Sequence, residues 1–272
     1  MRRAERIAVL TKILTDQPGR LFTLSDFAAS LGAAKSTISE DLALIKEVLS
    51  SQELGEIESL PGAAGGVRYR PSWSSRRIEE FLTRLVQSLE SAQRILPGGF
   101  LFMTDVICDP DLALSTGEIF ASLLGDKGAD HVVTVATKGI PLALAAARAL
   151  GLPLVIIRDD SKVTEGSSVS LNYVSGSSQK IRTMSLSRRS LQEGARVLFI
   201  DDFMKAGGTA RGVRSLVEEF GAQLVGTGVL VETALPEEKL IEDYLALLLL
   251  EEVDEKSGLV KMRISPQLKR LL

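Results

Sequence analysis

Residues 197–212 read VLFIDDFMKAGGTARG: four apolar residues, two adjacent acids, a short loop with a glycine pair and a threonine, then the start of a helical pattern. An apolar run of this kind reads as a buried strand. In an open parallel sheet, ligands sit outside the carboxyl ends of the strands. The loop suits an anion. Gly207 and Gly208 let backbone amides approach a phosphate, Thr209 adds a hydroxyl, and the following helix directs its positive end at the same point. Asp201 and Asp202, placed where the strand ends, suit sugar hydroxyls, as acids do in dinucleotide sites. Together these features describe a ribose 5-phosphate site. Taken separately, the glycine pair is a common strand-to-helix turn and the two acids serve equally as loop caps.

Upstream, VATKGIPLALAAA at residues 135–147 repeats the plan of strand end, tight turn and helix, with Pro141 in the first turn of the helix. Ala136, Thr137, Lys138 and Gly139 can offer a hydroxyl, a cation and exposed amides to a diphosphate. A solvated lysine on a frequent type of turn is the plainer reading, and the position one crossover before the stronger motif is what gives the loop weight. After the next strand, Arg158 and Lys162 supply cations, either toward the same diphosphate or toward solvent. From residue 99 onward, strand runs at 132–136, 154–157, 197–200 and 224–231 alternate with helices near 141–150 and 210–220, the rhythm of a parallel sheet with crossover helices. Between them, VSLNYV, the turn SGSS and IRTMSLSRR read as a polar hairpin or mobile flap.

The amino-terminal part has a different rhythm. Ile7, Leu10 and Leu14 give a helix over residues 2–16, closed by Asp16, Pro18 and Gly19. After an apolar segment at residues 21–23, Thr23 and Asp26 stand at capping-box spacing before a short helix ended by Gly32. Thr37 and Glu40 repeat that spacing before a third helix carrying Ile38, Leu42, Ile45 and Leu49. GEIESLPGAAGGVRYRP then reads as two short strands, around Ile57 and Val67, joined by a glycine-rich loop. Three helices and a hairpin make a winged helix. Residues 71–77 read as a linker, followed by a helix through Phe81, Leu85, Leu89, Ala92 and Leu96 that ends at Pro97 and Gly98. The chain is thus expected to divide into a winged-helix domain at 1–74 and an α/β domain at 75–272.

In a winged helix, the third helix enters the major groove by its amino-terminal end while the wing touches backbone or minor groove. Lys35, Ser36, Thr37 and Ser39 fall at that end, Arg68 and Arg70 on the second wing strand, and Arg2, Arg3 and Arg6 on one edge of the first helix. Composition alone argues for none of this: residues 1–74 hold nine Lys or Arg and nine Asp or Glu, and the whole chain has a net charge of −3. A DNA contact must therefore come from a local patch, to which Arg188 and Arg189 of the second domain can add. A winged helix used only for dimer contacts is the alternative.

Composition excludes several classes. Hydrophobic residues at 45% and charged residues at 25% describe a chain that buries a core. The basic amphipathic start lacks the apolar region and cleavage site of a secretion signal, and the apolar cluster at 245–250, a buried strand or helix turn, is far below the roughly 20 residues of a membrane span; a cytoplasmic protein is expected. One cysteine, Cys108, and one histidine, His131, leave no intramolecular disulfide and no zinc set of the usual kind. His131, just before an apolar run, reads as a strand-edge residue.

The 197–212 segment resembles the phosphoribosyl pyrophosphate (PRPP) motif of type I phosphoribosyltransferases, four apolar residues, two acids and a loop usually ending Thr-Gly-Gly-Thr. Here Phe203, Met204, Lys205 and Ala206 lead into the glycines, with Ala206 in place of the usual threonine and Lys205 in place of a small residue, departures that count against catalysis. Together with VATKGIPLA, KVTEGSSVSLNYVSGSS, TMSLSRRSL and the winged helix, the chain is similar over nearly its whole length to the purine operon repressor family of Gram-positive bacteria. That resemblance implies an α/β phosphoribosyltransferase-like domain with a mostly parallel sheet and a flap. It implies a homodimer, operator DNA upstream of purine genes as a partner, and PRPP as an effector that relieves DNA binding, with no catalytic residue. Guanosine tetraphosphate, also a diphosphate on a ribose, is an alternative occupant, and magnesium accompanies PRPP or does not. An active purine phosphoribosyltransferase with an added regulatory domain is the competing expectation, although no base-binding pocket is legible.

Overall fold

The computed structural model describes residues 1–62, 65–159, 166–174 and 181–272; Lys162 and the turn at 175–178 lie outside them. Three helices, α1 (Arg3–Asp16), α2 (Leu24–Leu31) and α3 (Lys35–Ser51), precede the antiparallel pair β1 (Glu56–Leu60) and β2 (Gly66–Arg70). The Thr23 hydroxyl accepts from the Asp26 amide at 3.1 Å, and Gly32 ends α2 in the left-handed conformation, as the capping pattern predicts. The second capping box does not form. Ala34 is extended and α3 begins at Lys35, so Thr37 sits inside the first turn. Leu10, Leu14, Phe27, Ile38, Leu42, Ile45, Leu49, Ile57, Val67 and Tyr69 make the core of this winged helix. Phe22 pairs with Val67 as a short third strand, which accounts for the apolar segment before α2.

Helix α4 (Ser75–Leu89) is shorter than its apolar pattern suggests. The chain leaves the helix at Glu90, whose carboxylate accepts from the Met262 amide at 2.8 Å. Ile95 and Leu96 form β3 (Ile95–Leu96), paired with β4 (Phe100–Leu101) across Gly98 and Gly99, both at positive φ. Period alone counts such apolar residues for a helix; the glycine turn assigns them to a hairpin. Ile78, Phe81, Leu82, Leu85 and Leu89 of α4 belong to the core of the large sheet that follows.

That part runs α5 (Thr104–Ile107), α6 (Pro110–Leu124), β5 (His131–Val135), α7 (Ile140–Leu150), β6 (Leu154–Ile157), β7 (Ser168–Val174), β8 (Ile181–Ser187), β9 (Arg196–Met204), α8 (Gly208–Glu218), β10 (Gln223–Thr233), β11 (Leu245–Asp254), β12 (Leu259–Ile264) and α9 (Pro266–Lys269). The strands order β12-β11-β10-β9-β5-β6, all neighbours parallel except the antiparallel edge strand β12. The cluster at 245–250 is therefore a strand. From β5 the chain crosses through α7 to β6 on one side, then returns through the antiparallel pair β7 and β8 to β9 on the other side. The carboxyl ends of β5 and β9 thus flank the point where strand order reverses, the place where open α/β sheets hold ligands.

The two parts touch. A Cβ on Gly19 would stand 2.3 Å from the Leu150 carbonyl oxygen, so the backbones of the α1–α2 turn and the end of α7 lie directly against each other. The Trp73 indole donates to Glu118 at 3.1 Å, and Arg148 to the Asp16 carbonyl at 3.4 Å.

Candidate functional site

Strand β9 does not stop at its carboxylates, as the sequence suggests, but continues through Asp201 and Asp202 to Met204, because the parallel register with β10 extends to Glu232 and Met204. The loop Lys205–Ala206–Gly207 then turns into α8. Gly207 takes φ +81°, and no side chain caps the helix. Across the crevice, α7 starts after Gly139 with no side-chain cap either. Among the described residues, two helix amino termini without a side-chain cap therefore border the carboxyl ends of β5 and β9, and such termini attract anions. Asp201, the end of β9, the loop and the first residues of α8 line a small cavity of about 80 Å³. Arg158 stands at the carboxyl end of β6, beside β5, where its backbone bridges to Ser185. The structure thus brings Ala136–Gly139, Arg158 and Asp201–Thr209 to one edge of the sheet.

Close packing fixes the geometry there. A Cβ on Gly139 would come within 2.5 Å of Thr134 Oγ1 and 2.7 Å of Asp201 Oδ1. Only glycine lets the loop at 136–139 lie against the carboxylate. The Thr134 hydroxyl, fully buried, has no hydrogen-bond partner among the described residues. It was not singled out in the sequence, where it is one more residue of an apolar run. Asp201 is buried and accepts from the Asp202 amide at 3.0 Å. Burial and the charge of Asp202 push its carboxyl well above the usual range. Burial also raises Asp202, opposed by its hydrogen bond with Asp201 and by the charge of Lys138. Both shifts favour the protonated form, so the pair carries less charge than two free carboxylates while its oxygens still offer acceptors for sugar hydroxyls.

The arginines expected to meet DNA are mostly engaged elsewhere. Arg6 is buried, with Nε 2.7 Å from Asp41 Oδ2, and Asp41 is only 1% exposed. It is a core ion pair, because α1 packs on α3 through this point. Arg3 shares the same carboxylate at 3.1 Å, and the exposed Arg2 pairs with Glu5 at 2.9 Å. Arg68 pairs with Glu58 at 2.7 Å, while Arg70 lies 3.4 Å from Asp126 of the α/β part and lines, with Arg68, the crevice between the two parts. Alternation along β2 puts Val67 and Tyr69 on the core side and Arg68 and Arg70 on the opposite face, which borders the α/β part.

A better face lies between α3 and the wing. Lys35, Ser39, Ala43 and Lys46 share one side of α3 at helical spacing, and with Thr23, Ser25, Ser59, Gly62 and Gly65 they line a groove of about 540 Å³. Ser36 is exposed and Thr37 half-buried at the same helix end. Lys46 is not among the residues the sequence singles out, although its spacing from Lys35 and Ser39 places it on the same side of α3. His131 pairs with Asp130 at the amino-terminal end of β5, away from the ligand edge, and Cys108 is exposed. Among the described residues, no group of three or more His, Cys, Asp or Glu is placed to hold a metal ion, and no helix is long and apolar enough to cross a membrane.

Comparison with known proteins agrees with both halves. The profile of the bacterial purine repressor amino-terminal domain matches residues 2–71, and that of the phosphoribosyl transferase domain matches residues 109–263. The chain is 48% identical to the purine biosynthesis transcriptional repressor PurR of Bacillus subtilis, over 96% of this chain and 92% of that one. It is 42% identical to the purine biosynthesis transcriptional activator PurR of Lactococcus lactis, over 93% and 94% of the two chains. Among solved structures, adenine phosphoribosyltransferase from Rhodothermus marinus superposes with a TM-score of 0.54 at 23% identity, over 63% of this chain and 99% of that one, a likeness of fold.

Proposed function

The chain belongs to the bacterial purine repressor family and is a transcriptional regulator of purine biosynthesis; from that premise we propose that its phosphoribosyltransferase-type domain senses PRPP without reacting on it, and that bound PRPP lowers the affinity of the winged helix for operator DNA. The observation that carries the proposal is the crevice between β5 and β9, where two helix amino termini without a side-chain cap face the adjacent carboxylates of buried Asp201 and half-buried Asp202. The loop at 205–209 takes the 5-phosphate, Asp201 and Asp202 the ribose hydroxyls, and Thr137, Lys138 and Gly139, with Arg158, the diphosphate. Magnesium, where it accompanies PRPP, is held by the diphosphate oxygens. Guanosine tetraphosphate offers the same two chemical handles and competes for the crevice. The regulator works as a homodimer in the compartment that holds the DNA.

Helix α7 supplies a route between the two sites. Its first turn follows Gly139 at the diphosphate loop, and its end at Leu150 and Gly151 abuts Gly19 of the winged helix. A rigid element held at both ends transmits a displacement, and the coupling must be reciprocal, so operator DNA weakens PRPP binding by the same factor. Repression follows the sense named for the Bacillus subtilis relative, and the activator name of the Lactococcus lactis relative makes the sign a part of the test.

The deciding experiment measures binding of the purified protein to the control region of a purine biosynthesis operon, with PRPP titrated in and unrelated DNA as control, beside transcription from the same template. Specific binding released by PRPP, with transcription restored, supports the proposal; unchanged binding at saturating PRPP removes it. The phosphoribosyl transferase match keeps a second reading, an active enzyme. Ala206 and Lys205 in the loop disfavour it, and nucleotide formation from PRPP and a purine base above background would establish it.

A further inference from the structure

An anion loop binds through its amides, so something must hold its carbonyls the other way. In this protein the chain after β10 does so. Lys239 Nζ donates to three backbone carbonyls, those of Thr233 at 2.6 Å, Lys205 at 2.7 Å and Pro236 at 2.7 Å. All three ammonium protons are used. The Leu240 amide donates to the Ala206 carbonyl at 2.8 Å, while the Thr233 hydroxyl donates to the Leu235 carbonyl at 2.7 Å and lies only 3.4 Å from that of Lys205. A Cβ on Gly207 would stand 3.3 Å from the Leu240 nitrogen, so the segment lies tight along the back of the loop.

In a trans peptide, C=O and N–H point in opposite directions. Holding the Lys205 and Ala206 carbonyls toward Lys239 and Leu240 turns the amides of Ala206 and Gly207 the other way, toward the crevice. Resting on the reading of this loop as the 5-phosphate site, we propose that Lys239 is a positioning residue for that loop, setting the affinity for a phosphomonoester that it does not itself touch. Its role lies in the tetrahedral arrangement of three donors on one point charge. A guanidinium, planar and forked, cannot reproduce it.

The test uses the full-length protein and calorimetric titration with two fragments of the effector, ribose 5-phosphate and inorganic pyrophosphate. Lys239→Met keeps the aliphatic stem and removes the donors. It should weaken ribose 5-phosphate binding about tenfold, equivalent to about 1.4 kcal/mol, and leave pyrophosphate, held by the loop at 137–139, within about twofold of wild type. Lys239→Arg should fail to restore ribose 5-phosphate binding. Lys239→Gln, a milder change that leaves a shorter side chain with fewer donors, should shift the same ratio in the same direction and serves should Lys239→Met not fold. A wild-type protein that binds neither ribose 5-phosphate nor PRPP overturns the reading of the site. A wild type that binds both, with variants losing the two fragments equally or losing neither, overturns the role of Lys239 alone.

Discussion

Replacing Asp202 by Ala should separate the proposed PRPP sensing from DNA binding. Asp202 is half-buried on β9 at the sheet edge beside Lys138, and in the proposed complex its carboxylate accepts a ribose hydroxyl. A hydrogen bond to a charged group is worth about 1.5–3 kcal/mol, so its loss should weaken PRPP by roughly 10- to 150-fold. Stability should not suffer. Burial raises the pKa of Asp202, and after burial the charge of Asp202 also raises that of Asp201, so removing the acid relieves the empty site. Operator affinity without effector should stay within about twofold, because no element of the winged helix contributes to the crevice. Linkage then requires the PRPP concentration for half-release to rise by the same 10- to 150-fold, as estimated above, with the release at saturation unchanged. Fluorescence anisotropy of a labelled operator, titrated with PRPP, measures both quantities. Half-release at the wild-type concentration would refute the assignment of the carboxylates, and loss of operator binding in the absence of PRPP would refute the separation of the two sites.

Asp201→Asn tests the buried acid through pH. With a folded-state pKa raised above the ordinary value of 3.8, Asp201 keeps its proton in the fold after the unfolded chain releases it, and wild-type stability falls as pH rises from that value through the raised one. The amide has no proton to lose, so the effector-free variant should melt higher than wild type above this window, by calorimetry, while binding PRPP more weakly. Asp41→Ala strands the buried Arg6 and should cost about 3–5 kcal/mol in the winged helix, whereas Arg6→Met with Asp41→Leu should recover most of it; a loss under about 1 kcal/mol in chemical denaturation would show that water replaces the partner. Lys46→Ala should reduce the slope of log K against log salt for operator binding by about one, while Arg70→Ala leaves it unchanged; equal slopes for Lys46→Ala and wild type would move the DNA off the α3 groove. Gly151→Ala places a Cβ 2.7 Å from the Gly19 carbonyl carbon at a residue with φ +69°. It should bring the ratio of operator affinities without and with PRPP toward one while PRPP affinity in the absence of DNA holds, and an unchanged ratio would exclude the α7 route.

Much of this molecule is written in short-range pattern. Capping at Thr23, the stripe through Ile38, Leu42, Ile45 and Leu49, the alternation of strands and helices, and the glycine loop after two acids depend on interactions a few residues apart, so the sequence determined the winged helix, the parallel sheet and the candidate loops by itself. Tertiary structure decided what each charge is for. Arg6 meets Asp41 35 residues away, Arg70 meets Asp126 across 56, and Lys239 reaches the Lys205 carbonyl across 34. Nothing in the local spacing of these cations distinguishes a phosphate ligand from a core ion pair or a carbonyl clamp, because their partners are chosen by the packing of α1 on α3, of the wing on the α/β part, and of the chain after β10 on the loop at 205–207. The same packing decided that β9 runs through its carboxylates. Whether a strand continues depends on the register of its neighbour, which the residues of the strand alone do not carry.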